Sequence, residues 1–258
     1  MTKLTNSNYF TPEANRDYWS VSQFKEFDKC EAAGLAAVRG EYTRPETDAL
    51  LVGSYVDAYF AGELDAFRAR AGDKLFKKNG GLYSKFENAN DMINRISREP
   101  VLLEFLSGEK QVIQTGELFG VPWKIKMDAF DGERIVDLKT VRDFEPIYKP
   151  GFGRLSWIEY WGYDIQGAIY QKIVEQNTGK RLPFYIVAVT KETTPDVDLL
   201  EIPQPMLDAA FKIVENKIDE FDLVKTGEMK PRRCGSCDYC KRTKTITGPR
   251  TFEPLEGK

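Results

Sequence analysis

The sequence predicts a mixed α/β fold: a mixed central sheet flanked by helices, with a C-terminal cysteine-rich loop. Three observations carry this expectation. Helix-like stretches fill the first part of the chain. Two strand-like runs then flank Asp131-Gly132, and a helix, a strand and a second helix follow.

Residues 1–18 read as an irregular N-terminal arm. Ser20–Gly40 reads as a helix, with Val21, Phe24, Phe27, Leu35 and Ala36 partly periodic and Gly40 as its stop. Pro45–Gly72 reads as a second helix with Gly53 inside it, and Tyr83–Arg98 as a third before Pro100. Gln111–Gly116 opens an extended region. Trp123–Phe130 and Glu133–Leu138 then form a hairpin through the dipeptide Asp131-Gly132, a strong two-residue turn signal. Ser156 with Glu159 makes a capping box for a helix that ends at Asn177–Gly179. Phe184–Val189 and Leu199–Ile202 read as strands, and Pro205–Val224 as a long amphipathic helix. From Thr226 the chain is loop-like, and 226–258 is expected to pack back on the first helix as a basic, cysteine-rich tail of a single domain spanning 1–258.

Composition narrows the chemistry. The 258 residues carry a net charge of −3, so polyanion binding must rest on local patches. There is no histidine, which excludes Ser-His-Asp and Cys-His catalysis and His-containing zinc sites. No phosphate loop ending in Gly-Lys-Ser/Thr is present. The lack of a long apolar run or a signal-like N-terminus points to a cytoplasmic protein with no membrane partner.

With a two-residue turn at Asp131-Gly132, Asp128 falls opposite Ile135, Lys126 opposite Asp137 and Lys124 opposite Lys139. Asp128, Asp137 and Lys139 then share one face, and Ile125, Met127, Ala129, Val136 and Leu138 form a core face behind them. Two carboxylates roughly 6–8 Å apart at Cβ can hold a hard divalent cation, Mg²⁺ or Mn²⁺. Lys139 can orient an attacking water or neutralise charge on phosphate. A solvated salt-bridge face fits the same residues.

Asp128, Asp137-Leu138-Lys139-Thr140 and Gln166-Gly-Ala-Ile-Tyr170 together resemble the PD-(D/E)xK nuclease superfamily, in its RecB-like and phage exonuclease (exonuclease VIII-like) branch. The resemblance implies a restriction-endonuclease-like core, that Asp128 and Asp137 are metal-binding acids, that Lys139 is the catalytic lysine, and that Gln166 and Tyr170 contact the site and DNA from one helix face. The branch usually has a histidine where this sequence has Asp57, in Gly53-Ser-Tyr-Val-Asp57, and the literal proline before the first acid is Met127 here. Asp57 is a candidate metal ligand or a residue of an amphipathic helix surface, and Glu117 is a further candidate carboxylate. The implied activity is exonucleolytic hydrolysis of linear DNA ends in phage or prophage recombination within a bacterial host, with a single-strand annealing protein as a possible partner. The competing readings are an inactive nucleic-acid-binding module and a protein whose cysteine site is its main feature.

Cys234-Gly-Ser-Cys237-Asp-Tyr-Cys240 packs three cysteines into one loop, and Cys30 lies far upstream. Four thiolates suit a [4Fe–4S] cube, with tetrahedral Zn²⁺ as the competitor. The layout is similar to iron–sulfur nucleases of the AddB and CRISPR-adaptation type, which implies a structural cluster joining the two ends of the domain. Among the seven Lys/Arg between Lys230 and Arg250, Lys241 and Arg242 are candidate DNA-backbone contacts.

Overall fold

The structure, a computed structural model, describes residues 3–249 and residue 251. The remainder of the tail expected over 226–258, and the first two residues of the arm, lie outside the described residues. One five-stranded sheet organises the molecule, in the order β1-β2-β3-β6-β7. It comprises β1 (Glu109–Leu118), β2 (Val121–Phe130), β3 (Ile135–Val141), β6 (Phe184–Thr190) and β7 (Val197–Glu201). β1, β2 and β3 are antiparallel, β3 and β6 are parallel, and β7 closes the edge antiparallel to β6. Parallel pairing needs a crossover. The segment between β3 and β6 supplies it, with the hairpin β4 (Ile147–Lys149) and β5 (Gly153–Leu155) and the helices α8 (Trp157–Trp161) and α9 (Tyr163–Thr178).

Both faces of the sheet are buried. On one, Trp123, Ile125, Met127, Ile135 and Ile186 pack against α2 (Val21–Lys29), α9 and α10 (Gln204–Thr226). On the other, Ala129, Val136, Leu138, Val187 and Val189 pack against α4 (Asp48–Phe60), α5 (Leu64–Leu75), α6 (Asn88–Ser97) and α7 (Pro100–Phe105). The single core face expected from Ile125 to Leu138 is therefore split between two layers. The cause lies at Gln111, whose φ of 54° interrupts the β1–β2 ladder opposite Asp128. Met127 and Ala129 thus join different cores despite being two residues apart.

The hairpin turn is also longer than expected. Phe130 pairs with Ile135, so the loop is Asp131–Arg134. Asp131 Oδ1 accepts hydrogen bonds from the Glu133 and Arg134 amides, both at 2.9 Å, and stabilises the four-residue loop. The register moves by two residues. An even shift preserves side-chain parity, and beyond the last pair, Ala129 with Val136, the Asp128 carboxylate reaches β3 at the Leu138 amide.

Three expected helices are each broken. The first splits at Cys30, whose extended backbone (φ −167°, ψ 106°) ends α2 and starts α3 (Glu31–Val38). The second ends at Phe60, and Gly62 with φ +74° turns the chain into α5. The third begins as a short 3₁₀ turn, Ser84–Phe86, before α6. The capping box at Ser156 and Glu159 forms but serves the five-residue α8, because Gly162 in the left-handed region redirects the chain into α9. The arm contains a short helix α1 (Pro12–Asp17), and the tail contains α11 (Asp238–Arg242).

Gly167 sets how closely α9 approaches the sheet. A Cβ there would sit 2.5 Å from Phe184 Cδ1 and 2.8 Å from Leu207 Cδ2. Gly167→Ala should destabilise the fold by about 1–3 kcal/mol through overpacking, despite alanine's better helix propensity. Urea denaturation of the two proteins checks this.

Candidate active site

The parity kept by the hairpin brings the acids of β2 and β3 together where the sheet meets α4 and α9. Asp128 Oδ2 accepts from the Leu138 amide at 2.8 Å, and its Oδ1 accepts from Gln111 Nε2 at 3.4 Å. Asp137 is almost fully buried, and its Oδ1 accepts from Gln166 Nε2 at 2.7 Å. Its Oδ2 is paired with the Lys139 ammonium. Tyr170, one turn beyond Gln166 on α9, donates its hydroxyl to the Lys126 carbonyl at 3.0 Å and so ties the helix to β2. Asp57 reaches the site from α4. Gly53, one turn earlier, lets that helix approach β3 so closely that a Cβ would stand 2.8 Å from Thr140 Oγ1.

Gly53, Asp57, Asp128, Lys139, Tyr163 and Lys191 line a cleft of ≈ 330 Å³, and Asp137 is buried beside it against Lys139. Burial raises the carboxyl pKa of Asp57, and Asp137 adds to it while Lys139 opposes it. Burial likewise pushes Asp128 well above the usual carboxylate range, and the Asp137 and Asp57 charges push the same way. For Lys139, burial lowers the pKa, but the Asp137 and Asp128 carboxylates more than offset it, and the net shift is upward. The cleft is thus a crowded acidic group whose nearest counter-charge is the Lys139 ammonium. Such crowding is what a divalent cation relieves, and carboxylate oxygens are the donors that Mg²⁺ and Mn²⁺ prefer. Three carboxylates gathered at one cleft, Asp57, Asp128 and Asp137, are a donor set that fits a hard cation.

A family model described as a PDDEXK-like domain of unknown function (DUF3799) matches residues 20–243. The chain belongs to this PDDEXK-like family. Among solved structures, it is similar to the crystal structure of a "Putative exonuclease" from Eubacterium rectale. The two are 42% identical over 97% of each chain, with a TM-score of 0.93. No curated protein matches the chain. The mixed sheet flanked by helices is accordingly a PDDEXK nuclease-like fold.

The PDDEXK-like cleft gathers Asp57, Asp128, Asp137, Lys139 and Gln166, and Tyr170 supports it from beneath. Glu117 is not brought there. It is exposed at the far end of the β1–β2 hairpin, opposite Pro122, several residues along the strand from the Gln111 position that meets Asp128. Lys241 and Arg242 are exposed on α11 and are not part of the cleft. Arg242 pairs with Asp238 at 3.1 Å.

Two cleft residues, Lys191 and Tyr163, and Gln111 beside Asp128 escaped the sequence reading. Gln111 carries no local signal, because only its positive φ turns its side chain toward Asp128. Lys191 follows β6, and the parallel pairing of β6 with β3 places it at the cleft, where its Nζ donates to the Thr140 carbonyl at 2.8 Å. Burial lowers its pKa to about 8. Tyr163 starts α9, and its ring lies 5.1 Å from the Lys139 ammonium.

Gln166 holds the Asp137 carboxylate through its Nε2. Gln166→Ala should lower activity or cation affinity about 10–100-fold, the usual effect of removing a group that orients a ligand. A metal titration alongside a rate measurement reads both.

The four cysteines also meet. Their Sγ atoms all lie within 4.8 Å of one another. Cys30 and Cys240 are buried, with Sγ atoms 3.6 Å apart, and Cys234 and Cys240 Sγ stand 4.0 Å apart. The tail therefore packs on the α2–α3 junction. Arg232 secures it there. Its amide and Nε donate to the buried Glu31 carboxylate, each at 2.7 Å.

Proposed function

We propose that this chain is a Mg²⁺- or Mn²⁺-dependent deoxyribonuclease that hydrolyses phosphodiester bonds at DNA ends. The observation that carries the proposal is Asp137, buried between the Gln166 amide and the Lys139 ammonium and close enough to Asp128 for their charges to interact. Asp57, Asp128 and Asp137 would hold the cation. The ion supplies Lewis acidity and lowers the pKa of water at the scissile phosphate. Gln166 fixes the Asp137 carboxylate. Lys139 provides a positive charge where a phosphate would otherwise meet three carboxylates, and it can orient the attacking water. The name of the Eubacterium rectale relative supports the exonuclease reading. Phage or prophage recombination, beside a single-strand annealing protein, is the pathway this activity fits.

We read the cysteine quartet as a structural [4Fe–4S] centre, since hydrolysis needs no redox step. One observation favours Zn²⁺ as a second reading. Thiols around one tetrahedral ion stand about 4 Å apart, because each lies about 2.3 Å from it, and the observed Sγ spacings match. A cube would set them further out, at about 6 Å, and the exposed Cys234 end of the loop would have to open. Metal and sulfide analysis of anaerobically purified protein separates the two. Four irons with sulfide per chain supports the cube, and one zinc overturns it.

The nuclease reading is tested by incubating linear and covalently closed circular DNA with the protein and Mg²⁺ or Mn²⁺. Loss of linear DNA alone is expected. Cleavage of circles would make it an endonuclease, and no digestion of either would overturn the enzyme reading.

A further inference from the structure

Six exposed aromatic side chains occur among the described residues, and three of them, Tyr148, Phe152 and Trp161, lie on the short segment between the catalytic strand β3 and helix α9. Their exposure follows from local chemistry. Lys149-Pro150-Gly151-Phe152 is a β-turn with Pro at its second position and Gly151 at φ +81° in its third, closed by the Phe152 amide donating to the Lys149 carbonyl at 3.0 Å. This tight turn holds Phe152 69% exposed at the tip of the β4–β5 hairpin. The hairpin base is fixed, because Phe144 stacks on buried Trp157 with ring centres 5.6 Å apart. The aromatics are thus held out on a rigid support.

Beside them runs a groove of ≈ 410 Å³ lined by Lys25, Lys29, Lys149, Tyr160, Trp161 and Gly162. Its two acids are engaged elsewhere. Glu159 accepts from Ser156 Oγ at 2.6 Å, and Asp28 pairs with Lys217. Of the lysines, Lys29 lies 3.9 Å from Glu26, and Lys149 sits 4.5 Å from the centre of the Phe152 ring. The groove is therefore positive and aromatic in a chain whose net charge is negative. It also adjoins the cleft. Lys25 lies 5.2 Å from the centre of the Tyr163 ring, the same ring that faces the Lys139 ammonium.

We infer that this groove binds an unpaired DNA strand leading to or from the cleft, with Trp161 and Phe152 stacking on bases and Lys25, Lys29 and Lys149 following the phosphates. Aromatic platforms beside a cationic track suit single strands, because every base has a face on which to stack. A duplex hides those faces. The inference rests on the nuclease reading for its place in the reaction, but the binding itself does not.

The test uses the full chain, with its cysteine-bound metal intact, in an Asp137→Asn background so that the probe survives. Anisotropy of a labelled twelve-nucleotide oligothymidine is measured against a blunt duplex of the same length. Adding Phe152→Ala and Trp161→Ala should weaken oligothymidine binding about tenfold or more and leave duplex binding within about twofold. Both residues are exposed, so the variant should fold, and its melting curve checks that. As a second variant, Lys29→Gln with Lys149→Gln should reduce the salt slope of single-strand binding by about 1.4, at about 0.7 per phosphate contact. Unchanged oligothymidine binding with an unchanged slope overturns the inference, as does an equal loss for single strand and duplex. If the unsubstituted protein digests DNA while these substitutions do nothing, only the groove fails. If it digests nothing but binding still depends on Phe152 and Trp161, only the nuclease reading fails.

Discussion

Asp137→Asn should reduce digestion of linear DNA about 10³-fold or more, with the fold retained. The substitution keeps an oxygen for Gln166 Nε2, now 2.7 Å from Asp137 Oδ1, but removes the charge that faces Lys139. A carboxylate that holds the reacting cation contributes several kcal/mol to the transition state, and each 1.36 kcal/mol is a factor of ten in rate. The loss also removes the ion-pair partner of the buried Lys139 ammonium, so the melting temperature should fall as well. Rates measured on end-labelled linear duplex, with circular dichroism as the folding control, check both effects. Digestion within tenfold of the parent would show that Asp137 is only a structural partner of Lys139.

Cys240→Ser should be the most destabilising single change. Cys240 Sγ is the central thiol of the quartet, buried 3.6 Å from Cys30 and 4.0 Å from Cys234. A metal held by Cys30 and the tail closes a loop of roughly 200 residues. By analogy with a covalent cross-link, that closure is worth about 5 kcal/mol. For a domain of this size it corresponds to a fall of about 10–20 °C in melting temperature. Chelation of the parent should produce the same shift and Cys240→Ser should then be insensitive to chelator. Equal melting curves for parent, variant and chelated protein would mean that no metal joins the two ends.

Much of the site was legible because its parts lie on local patterns. The alternation along β2 and β3 placed Asp128 and Asp137 on one face, and that survived a turn two residues longer than expected, since parity is indifferent to an even shift. Gln166 and Tyr170 lie one turn apart on α9, where helical spacing put them. The cysteine spacing announced a metal-binding group, and the fold gathers all four thiols.

What sequence could not give depends on contacts between distant segments. The splitting of the core at Asp128 follows from one positive φ at Gln111, for which glutamine gives no warning. The approach of Asp57 depends on α4 crossing close to β3 at Gly53. The break at Cys30 comes from tertiary pairing, since the Ala32 amide, in the first turn of α3, donates to the Arg232 carbonyl at 3.1 Å. Glu117 was a further candidate carboxylate, but the antiparallel register places it opposite Pro122, away from the Gln111 position that meets Asp128.

The account turns on whether the three carboxylates hold a cation, and this is read most directly by electron paramagnetic resonance titration of Mn²⁺ into protein whose cysteine site is already loaded. Asp128→Asn is the comparison, because asparagine can still accept the hydrogen bond that Asp128 Oδ2 takes from the Leu138 amide at 2.8 Å. The account predicts Mn²⁺ bound by the parent and displaced by Mg²⁺, with affinity at least about tenfold weaker in the variant. Equal Mn²⁺ binding by the two proteins would contradict it.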